Sequence, residues 1–576
     1  MTQSQIDPEI LERAKIWLAE PFDEQTSAEV KAMVDNDPVA LVDAFYKDLE
    51  FGTGGLRGVM GAGTNKLNVY TIGMATQGLA NYVLQSFPGI QTKVVIAHDC
   101  RINSRLFAET AANVLTANNI KVYLFEDLRP TPELSFAVRH LGCQAGIMLT
   151  ASHNPKEYNG YKVYWNDGGQ LVPPHDKNTI AEVRKIASPT QVQFSGNQSL
   201  LEIIGAEVDA AYWNKVTELS LFGQGRDLVK VVFTPLHGTT INGIPQVLDK
   251  LGFSDVHLVE AQSKPDGTFP TVHSPNPEEN AAMNMAIELA ESIGADIAMG
   301  TDPDGDRVGI AVKNQEGKMV MLNGNEAASL LVYYVLNRKD AGKQLTAKDF
   351  VAKTIVTTNL IKRIAEHFKV TCFECLTGFK YIAELIREHE GERNYLVGGE
   401  ESYGYSIGEF VRDKDAVSSA VMFAEIAAWA KSQGKNLNEL LADIHCSFGM
   451  FKEELISLTK KGKSGAEEIQ QMMLDFRKNA PESINGVKVL RTLDYKLSEI
   501  TYLATGTKSA IELPKSDVFQ FELEDGSVIT ARPSGTEPKI KFYISVNCPT
   551  DKAIYEESKH SLAVRIQGIR DALKLN

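Results

Sequence analysis

The sequence predicts an α/β protein: three related α/β units with mixed, mostly parallel sheets, and then a smaller C-terminal α+β domain. Three observations predict it. Short apolar runs alternate with helix-period segments from Lys93 onward. The alternation restarts at Leu228 and again at Phe350, each round about the size of a small domain. Each round also ends a strand in a polar loop. The tail breaks the pattern, with a helical stretch before two strands, Ser527–Ala531 and Ile540–Val546, and another after them.

At 576 residues the chain is too long for one core. The expected division is a helical extension over 1–45, then domains over 46–220, 221–335, 336–455 and 456–576. The formal net charge is −15, which argues against nucleic acid and anionic membrane as partners. Small phosphorylated ligands stay compatible with it, because a few local cations suffice to hold them. No apolar run reaches the roughly 18 residues of a membrane span. The N-terminal residues lack the basic and apolar stretches of a leader. Six cysteines in such a length make no disulfide framework. A cytoplasmic protein is expected, as a monomer or weak homo-oligomer.

The elements follow in order. Asp7-Pro8 caps a first helix whose Ile10, Leu11, Ala14, Trp17 and Leu18 share a face. Thr26-x-x-Glu29 has the form of a capping box, and Asp37-Pro38 starts another helix. Phe51–Gly58 holds four glycines around Thr53 and Arg57. It is expected to be a loop that brings backbone N–H groups and a guanidinium to an anion. The first round then has strands at Lys93–Asp99 and Lys121–Phe125 around a helix, Arg105–Asn118. Ala145–Leu149 leads into Thr150-Ala-Ser-His-Asn-Pro155. Ser152 therefore sits just past a strand end, where open α/β sheets bind ligands. His153 is not an obvious activator for it, since adjacent side chains diverge. Lys162, in the strand-like Asn159–Tyr164, is placed to steer a phosphate or hydroxyl.

The second round has a strand at Leu228–Phe233, a helix at Ile241–Leu251, a strand at Val256–Val259 and a helix at Ala281–Ile293. Asp296–Gly300 then runs into Thr301-Asp-Pro-Asp-Gly-Asp-Arg307. The third has Phe350–Val356, Leu360–His367, Val370–Cys375 and Tyr381–Glu388. Asn394–Val397 leads into Gly398-Gly-Glu-Glu-Ser-Tyr-Gly404. Cys372 and Cys375 lack the second pair of a zinc site and sit in a strand-like run, so they are expected to be structural. Lys460–Ala466 is expected to be a boundary or surface loop.

The strand-end loops carry the chemistry. In an extended backbone Asp302, Asp304 and Asp306 put three carboxylates on one side, a hard oxygen set suited to Mg²⁺. An EF-hand is excluded, because Arg307 and Lys313 stand where glycine and glutamate are needed. Arg532, Ser534, Thr536 and the Gly535 N–H form a plausible phosphate cradle. Glu400 and Ser402, two residues apart, suit sugar hydroxyls. Lys380, Lys414, Arg412 and His237 are further candidate contacts.

Taken together, these loops resemble the α-D-phosphohexomutase superfamily, most closely its phosphoglucomutase-like branch. Four motifs match in order: Thr150–Pro155, Asp302–Arg307, Gly399–Gly404 and Arg532–Thr536. Thr53-Gly-Gly-Leu-Arg57 also looks like the family's. The resemblance implies four domains around a central cleft, the last a mobile cap. It implies that Ser152, in the catalytic loop with His153, carries a phosphoryl group. It implies that Asp302, Asp304, Asp306 and a phosphoserine oxygen hold one Mg²⁺. Glu400, Ser402 and Lys380 would bind the sugar; Arg532, Ser534, Gly535, Thr536 and Lys414 would bind phosphate. Arg57, Lys162, Arg307 and Lys414 would supply charge at the transferring group. The implied reaction interconverts glucose 1-phosphate and glucose 6-phosphate through glucose 1,6-bisphosphate. Glu401 and Gly404 depart from the Gly-Glu-Met-Ser-Gly-His of the mannose-leaning branch and favour glucose. A phosphomannomutase or phosphopentomutase on the same scaffold remains an alternative. So does an aspartyl-type phosphatase, since Asp304-x-Asp306-x-Val308 fits that pattern too. That last reading leaves the Ser152 and Arg532 loops without a role.

Overall fold

Three helices open the chain, Pro8–Ile16, Glu24–Asn36 and Pro38–Phe45, each started by an aspartate. Asp7, Asp23 and Asp37 accept from the N–H groups of Glu9, Thr26 and Ala40 at 2.9, 2.9 and 3.0 Å. The second helix is thus capped three residues earlier than Thr26-x-x-Glu29 suggested. Trp17, Phe22, Val30, Leu41, Phe45 and Tyr70 form one apolar cluster, with Trp17 and Phe22 stacked at 4.3 Å. Leu18, expected on the buried face, lies past the end of the first helix and is exposed.

The computed structural model describes residues 6–19, 21–52, 54–460, 462–534 and 538–575. Two units divide the chain. One comprises Met1–Leu322 with Ala383–Glu390 and Gly404–Ser432; the other comprises Asn323–Ile382, Gly391–Tyr403 and Gln433–Asn576.

In the first unit, strands β1 (Gly55–Val59), β2 (Lys93–His98), β3 (Lys121–Phe125), β4 (Ala145–Leu149), β5 (Tyr158–Trp165) and β6 (Leu201–Ile204) form a sheet ordered β1-β5-β4-β2-β3-β6. The β4-β2-β3-β6 run is parallel, and β5 and β1 are antiparallel. Every residue of β4 is buried, as a strand covered on both faces requires. The glycine-rich stretch is a strand rather than a loop from Gly55 on; Thr53 lies outside the described residues. Gly55 has φ +127°, and a Cβ there would meet the Tyr161 carbonyl oxygen at 1.8 Å. Glycine at this position lets β1 lie against β5, with Arg57 opposite Gly160.

A second sheet follows in the same unit: β7 (Lys230–Thr234), β8 (Asp255–Leu258), β9 (Ile297–Thr301), β10 (Val308–Lys313) and β11 (Met319–Met321), ordered β11-β10-β9-β7-β8. Strands β9, β7 and β8 are parallel and β10 turns back on β9. Met283, Ala286 and Ala290 of the helix Asn280–Ile293 bury against Val232, Ala298 and Ala311. The site depends on these two sheets, because β4 and β9 both end at it.

In the second unit, β12 (Asp349–Thr354) pairs in parallel with β13 (Thr371–Cys375) and β14 (Asn394–Glu400). Cys372 and Cys375 are free thiols on β13. The C-terminal sheet is antiparallel, with Met450–Thr459, Lys539–Cys548, Val528–Pro533, Phe519–Leu523 and Val487–Asp494 as successive neighbours. Its face is covered by Leu562, Ile566 and Ile569 of the helix Tyr555–Ala572. Of the boundary or surface loop expected at Lys460–Ala466, the part from Gly462 on is helical, in Gly462–Lys478.

Candidate active site

Strand β4 delivers Ser152 through a two-residue step. The Ser152 N–H donates to Thr150 Oγ1 at 2.8 Å, and the Ser152 backbone is left-handed, with φ +53°. A non-glycine residue there costs of order 1–2 kcal/mol and persists only where neighbours enforce it. Ser152 is 3% exposed, and its Oγ donates to Asp302 Oδ2 at 2.8 Å. His153 Nδ1 lies 3.2 Å from the same Oγ. The expected divergence of the two side chains fails because the left-handed turn at Ser152 redirects them. His153 also contacts the Arg307 guanidinium. Burial, with Arg307 and Arg57 nearby, pushes its imidazole down to about 3, so it is uncharged at neutral pH.

The acidic loop joins β9 to β10 as a tight turn. Gly305, at φ +66°, donates its N–H to the Asp302 carbonyl at 3.0 Å. The N–H groups of Asp306 and Arg307 donate to Asp302 Oδ1 at 3.1 and 3.0 Å. The three carboxylates converge because the chain curls around Asp302, and not through the extended alternation expected. Asp302, Asp304 and Asp306 are 0, 0 and 2% exposed, and one ligand atom of each lies within 4.8 Å of the others. Asp304 Oδ1 and Asp306 Oδ1 are buried without a hydrogen-bond partner. Orphaned carboxylate oxygens are costly in a dry site, so this donor set fits a hard cation. Burial and its two carboxylate neighbours push Asp302 well above the usual range. Burial also opposes ionisation of the other two. Lys162 nevertheless holds Asp304 below its ordinary value, and Lys162, Lys414 and Arg307 hold Asp306 far below.

Cations converge on the same loop. Lys162 Nζ, on β5, lies 2.7 Å from Asp304 Oδ2 and 3.2 Å from Asp306 Oδ2. Lys162 is buried, not exposed as strand lysines commonly are, and the two carboxylates keep its ammonium charged against desolvation. Lys414 Nζ lies 3.2 Å from Asp306 Oδ2 and 3.2 Å from Asp413 Oδ1. Arg57 is exposed on β1, within the field of Asp304, Arg307 and Asp306. The structure thus brings Ser152, His153, Arg57, Lys162, Arg307, Lys414 and the three aspartates together in the first unit.

The remaining candidates belong to the second unit. Glu400 ends β14 and is 5% exposed; Ser402 is half-buried. Glu401 Oε2 accepts from Thr354 Oγ1 and Thr357 Oγ1, each at 3.3 Å. Burial beside Glu400 raises Glu401 to about 7. Lys380 Nζ lies 5.1 Å from the Tyr381 ring centre. Arg532 is the penultimate residue of the strand Val528–Pro533, and Ser534 is exposed just after it. Gly535 and Thr536 lie outside the described residues. Of the other candidates, His237 is taken up by Thr271 Oγ1 at 2.9 Å and the Lys264 carbonyl at 3.2 Å, and Arg412 pairs with Glu390 at 3.0 Å.

Sequence reasoning missed Thr131, whose Oγ1 donates to Asp304 Oδ2 at 2.9 Å. It also missed Asp413, which accepts from Tyr164 at 2.7 Å and Gln170 at 2.9 Å while contacting Lys414. Arg101 went unnoticed as well, although Asp99-Cys-Arg101 follows β2 as Ser152 follows β4. For Arg101, its place just past a strand end was the available signal.

Comparison with known proteins agrees with this geometry. Models of phosphoglucomutase/phosphomannomutase α/β/α domains I, II and III match residues 48–190, 210–317 and 323–446. Three such domains in succession define the class, the α-D-phosphohexomutase superfamily. A phosphoglucomutase of Staphylococcus epidermidis is 40% identical over 504 residues, 87% of this chain and 91% of that one. One from Staphylococcus aureus is 39% identical over 545 residues, 94% and 95% of the two chains. The solved structure of pp63/parafusin, a phosphoglucomutase of Paramecium in open form, shares the fold with a TM-score of 0.69 at 18% identity, covering 92% of this chain and 95% of that one. A Thermus thermophilus phosphomannomutase structure does so with a TM-score of 0.67 at 22% identity, covering 90% and 99%. The chain belongs to the phosphoglucomutase/phosphomannomutase family, in its phosphoglucomutase branch, and is an isomerase of the intramolecular phosphotransferase type. Among the described residues no helix is long and apolar enough to cross a membrane.

Proposed function

We propose that the protein interconverts glucose 1-phosphate and glucose 6-phosphate through a phosphoserine at Ser152, with glucose 1,6-bisphosphate as the intermediate. The observation that carries this reading is the 2.8 Å contact between Ser152 Oγ and Asp302, inside a triad with two orphaned carboxylate oxygens. Asp302, Asp304 and Asp306 would hold Mg²⁺, which when bound supplies positive charge to the transferring phosphoryl group. The Ser152 oxygen–phosphorus bond breaks as the sugar hydroxyl oxygen forms its own bond to phosphorus, and the proton that hydroxyl loses ends on Ser152 Oγ; the reverse step, from the other phosphate of the bisphosphate, restores phosphoserine. Phosphoryl transfer depends chiefly on positioning and charge stabilisation. Lys162, Arg57 and Arg307 supply that charge. Glu400, Ser402 and Lys380 are proposed to bind the sugar hydroxyls. Arg532, Ser534, Gly535, Thr536 and Lys414 are proposed to bind the phosphates.

Glucose is the preferred sugar in this reading because the two staphylococcal relatives at 39–40% identity are phosphoglucomutases. Phosphorus NMR of glucose 1-phosphate with protein, Mg²⁺ and a trace of glucose 1,6-bisphosphate tests the proposal. A growing glucose 6-phosphate signal, faster than with mannose or ribose 1-phosphate, is the expected result. Faster turnover of mannose or ribose 1-phosphate would reassign the substrate, and growing inorganic phosphate would point to the aspartyl phosphatase.

A further inference from the structure

One buried guanidinium gathers the backbone of the Ser152 loop. Arg101 is 3% exposed, at the turn after β2. Its Nη1 donates to the carbonyls of Pro155 at 2.9 Å and Tyr158 at 3.0 Å. Its Nη2 donates to the Ser152 carbonyl at 2.6 Å and also to that of Asn154. Four carbonyls from a seven-residue stretch thus point at one planar fork, a geometry that a guanidinium satisfies and an ammonium does not. Without the cation their negative ends would face one another in a buried space.

The guanidinium in turn lies against Asp99 and Phe269. Its Nε lies 3.4 Å from Asp99 Oδ2, while Asp99 Oδ1 accepts from the Arg101 N–H at 2.9 Å and from Ser104 Oγ at 2.7 Å. The Asp99 N–H donates to the carbonyl of Leu149, the last residue of β4, at 3.0 Å. The Phe269 ring centre lies 5.0 Å from the guanidinium carbon. A chain of contacts therefore runs from the end of β4 through Asp99 and the Arg101 backbone to the guanidinium and the Ser152 carbonyl. Fixing that carbonyl fixes the peptide plane after Ser152. Together with the φ of +53°, the plane sets the direction of the Ser152 side chain.

We propose that Arg101 is a positioning residue for phosphoryl transfer. Through four backbone carbonyls it keeps Ser152 in the left-handed conformation that aims Oγ at Asp302. The inference rests on the reading of Ser152 as the phosphoryl carrier.

Arg101→Lys tests it, because lysine keeps the charge but not the fork. The variant is expected to bind glucose 1-phosphate with KM within about threefold of wild type while kcat falls about 100-fold, the scale of a small misplacement of a reacting atom. The rate at which glucose 1,6-bisphosphate phosphorylates Ser152, followed by mass spectrometry, should fall by the same factor. In Arg101→Ala, added guanidinium at non-denaturing concentration should recover part of kcat, and Ser152→Ala should show no such rescue. A kcat for Arg101→Lys within threefold of wild type overturns the proposal. So does a lowered kcat with an unchanged phosphorylation rate. A wild-type protein that takes no phosphoryl group at Ser152 overturns the reading of the site itself, and this inference with it.

Discussion

Ser152 spends backbone strain to place its hydroxyl on a carboxylate, and that arrangement gives the sharpest predictions at the scale of single residues. Replacing Ser152 by Ala removes the proposed phosphoryl carrier. Steady-state turnover should drop by about 10⁴-fold or more, while calorimetric binding of glucose 1-phosphate stays within about threefold. Lys162 makes a second case. Its ammonium bridges Asp304 and Asp306, so Lys162→Met should lower kcat by about 10²–10³-fold, the range for removing one preorganised charge from a dry site. A value near wild type would show that the ammonium only fills space. Much of this was legible in the sequence. A serine and an acidic triplet each stood just past a strand, and polarity there is informative. The contact of His153 with Ser152 was not legible, because it depends on a φ angle that side-chain spacing does not encode. The burial of Lys162 was also hidden, since it requires β5 and the loop after β9 to meet.

Among the elements, β1 shows how a local pattern can mislead. Four glycines around an arginine suggested an anion loop, yet Gly55 serves to let β1 lie against Tyr161. Gly55→Ala should therefore separate β1 from β5, lowering stability in urea by more than about 2 kcal/mol and moving Arg57 off the site. An alanine variant as stable as wild type would refute this packing. The helix Leu437–Phe448 offers a pH test. His445 is 5% exposed, its Nδ1 lies 3.0 Å from the Tyr555 hydroxyl, and burial pushes its imidazole down to about 4. The unfolded chain binds a proton near pH 6.5 and the folded one resists until about 4. The contribution is therefore fully present above about pH 6.5 and is lost as pH falls towards 4. Wild type should lose up to roughly 3 kcal/mol more than His445→Gln between pH 7 and 4, read from urea midpoints. Parallel losses in the two proteins would remove His445 from the account.

Across the whole chain, the net charge of −15 contrasts with the cations gathered around one buried acidic loop. Two unit negative charges at 4 Å repel by about 4 kcal/mol at an effective dielectric near 20. A phosphoserine facing a phosphate ester needs that convergence of positive charge whatever the overall sign. Chelation should accordingly abolish turnover, and added Mg²⁺ should restore it; full activity in a chelator would refute the assignment of the triad. The threefold α/β repeat was readable because buried parallel strands are continuous apolar runs and helices have a different period. The edge strands were harder to read, since β1 carries the composition of a turn.

The central claim is that Ser152 carries the phosphoryl group between the two positions of the sugar. It is tested most directly by incubating the protein with radiolabelled glucose 1,6-bisphosphate, mapping the label, and then adding unlabelled glucose 1-phosphate. The account predicts label on Ser152 that passes wholly into sugar phosphate. Label on an aspartate, or release of it only as inorganic phosphate, would contradict it.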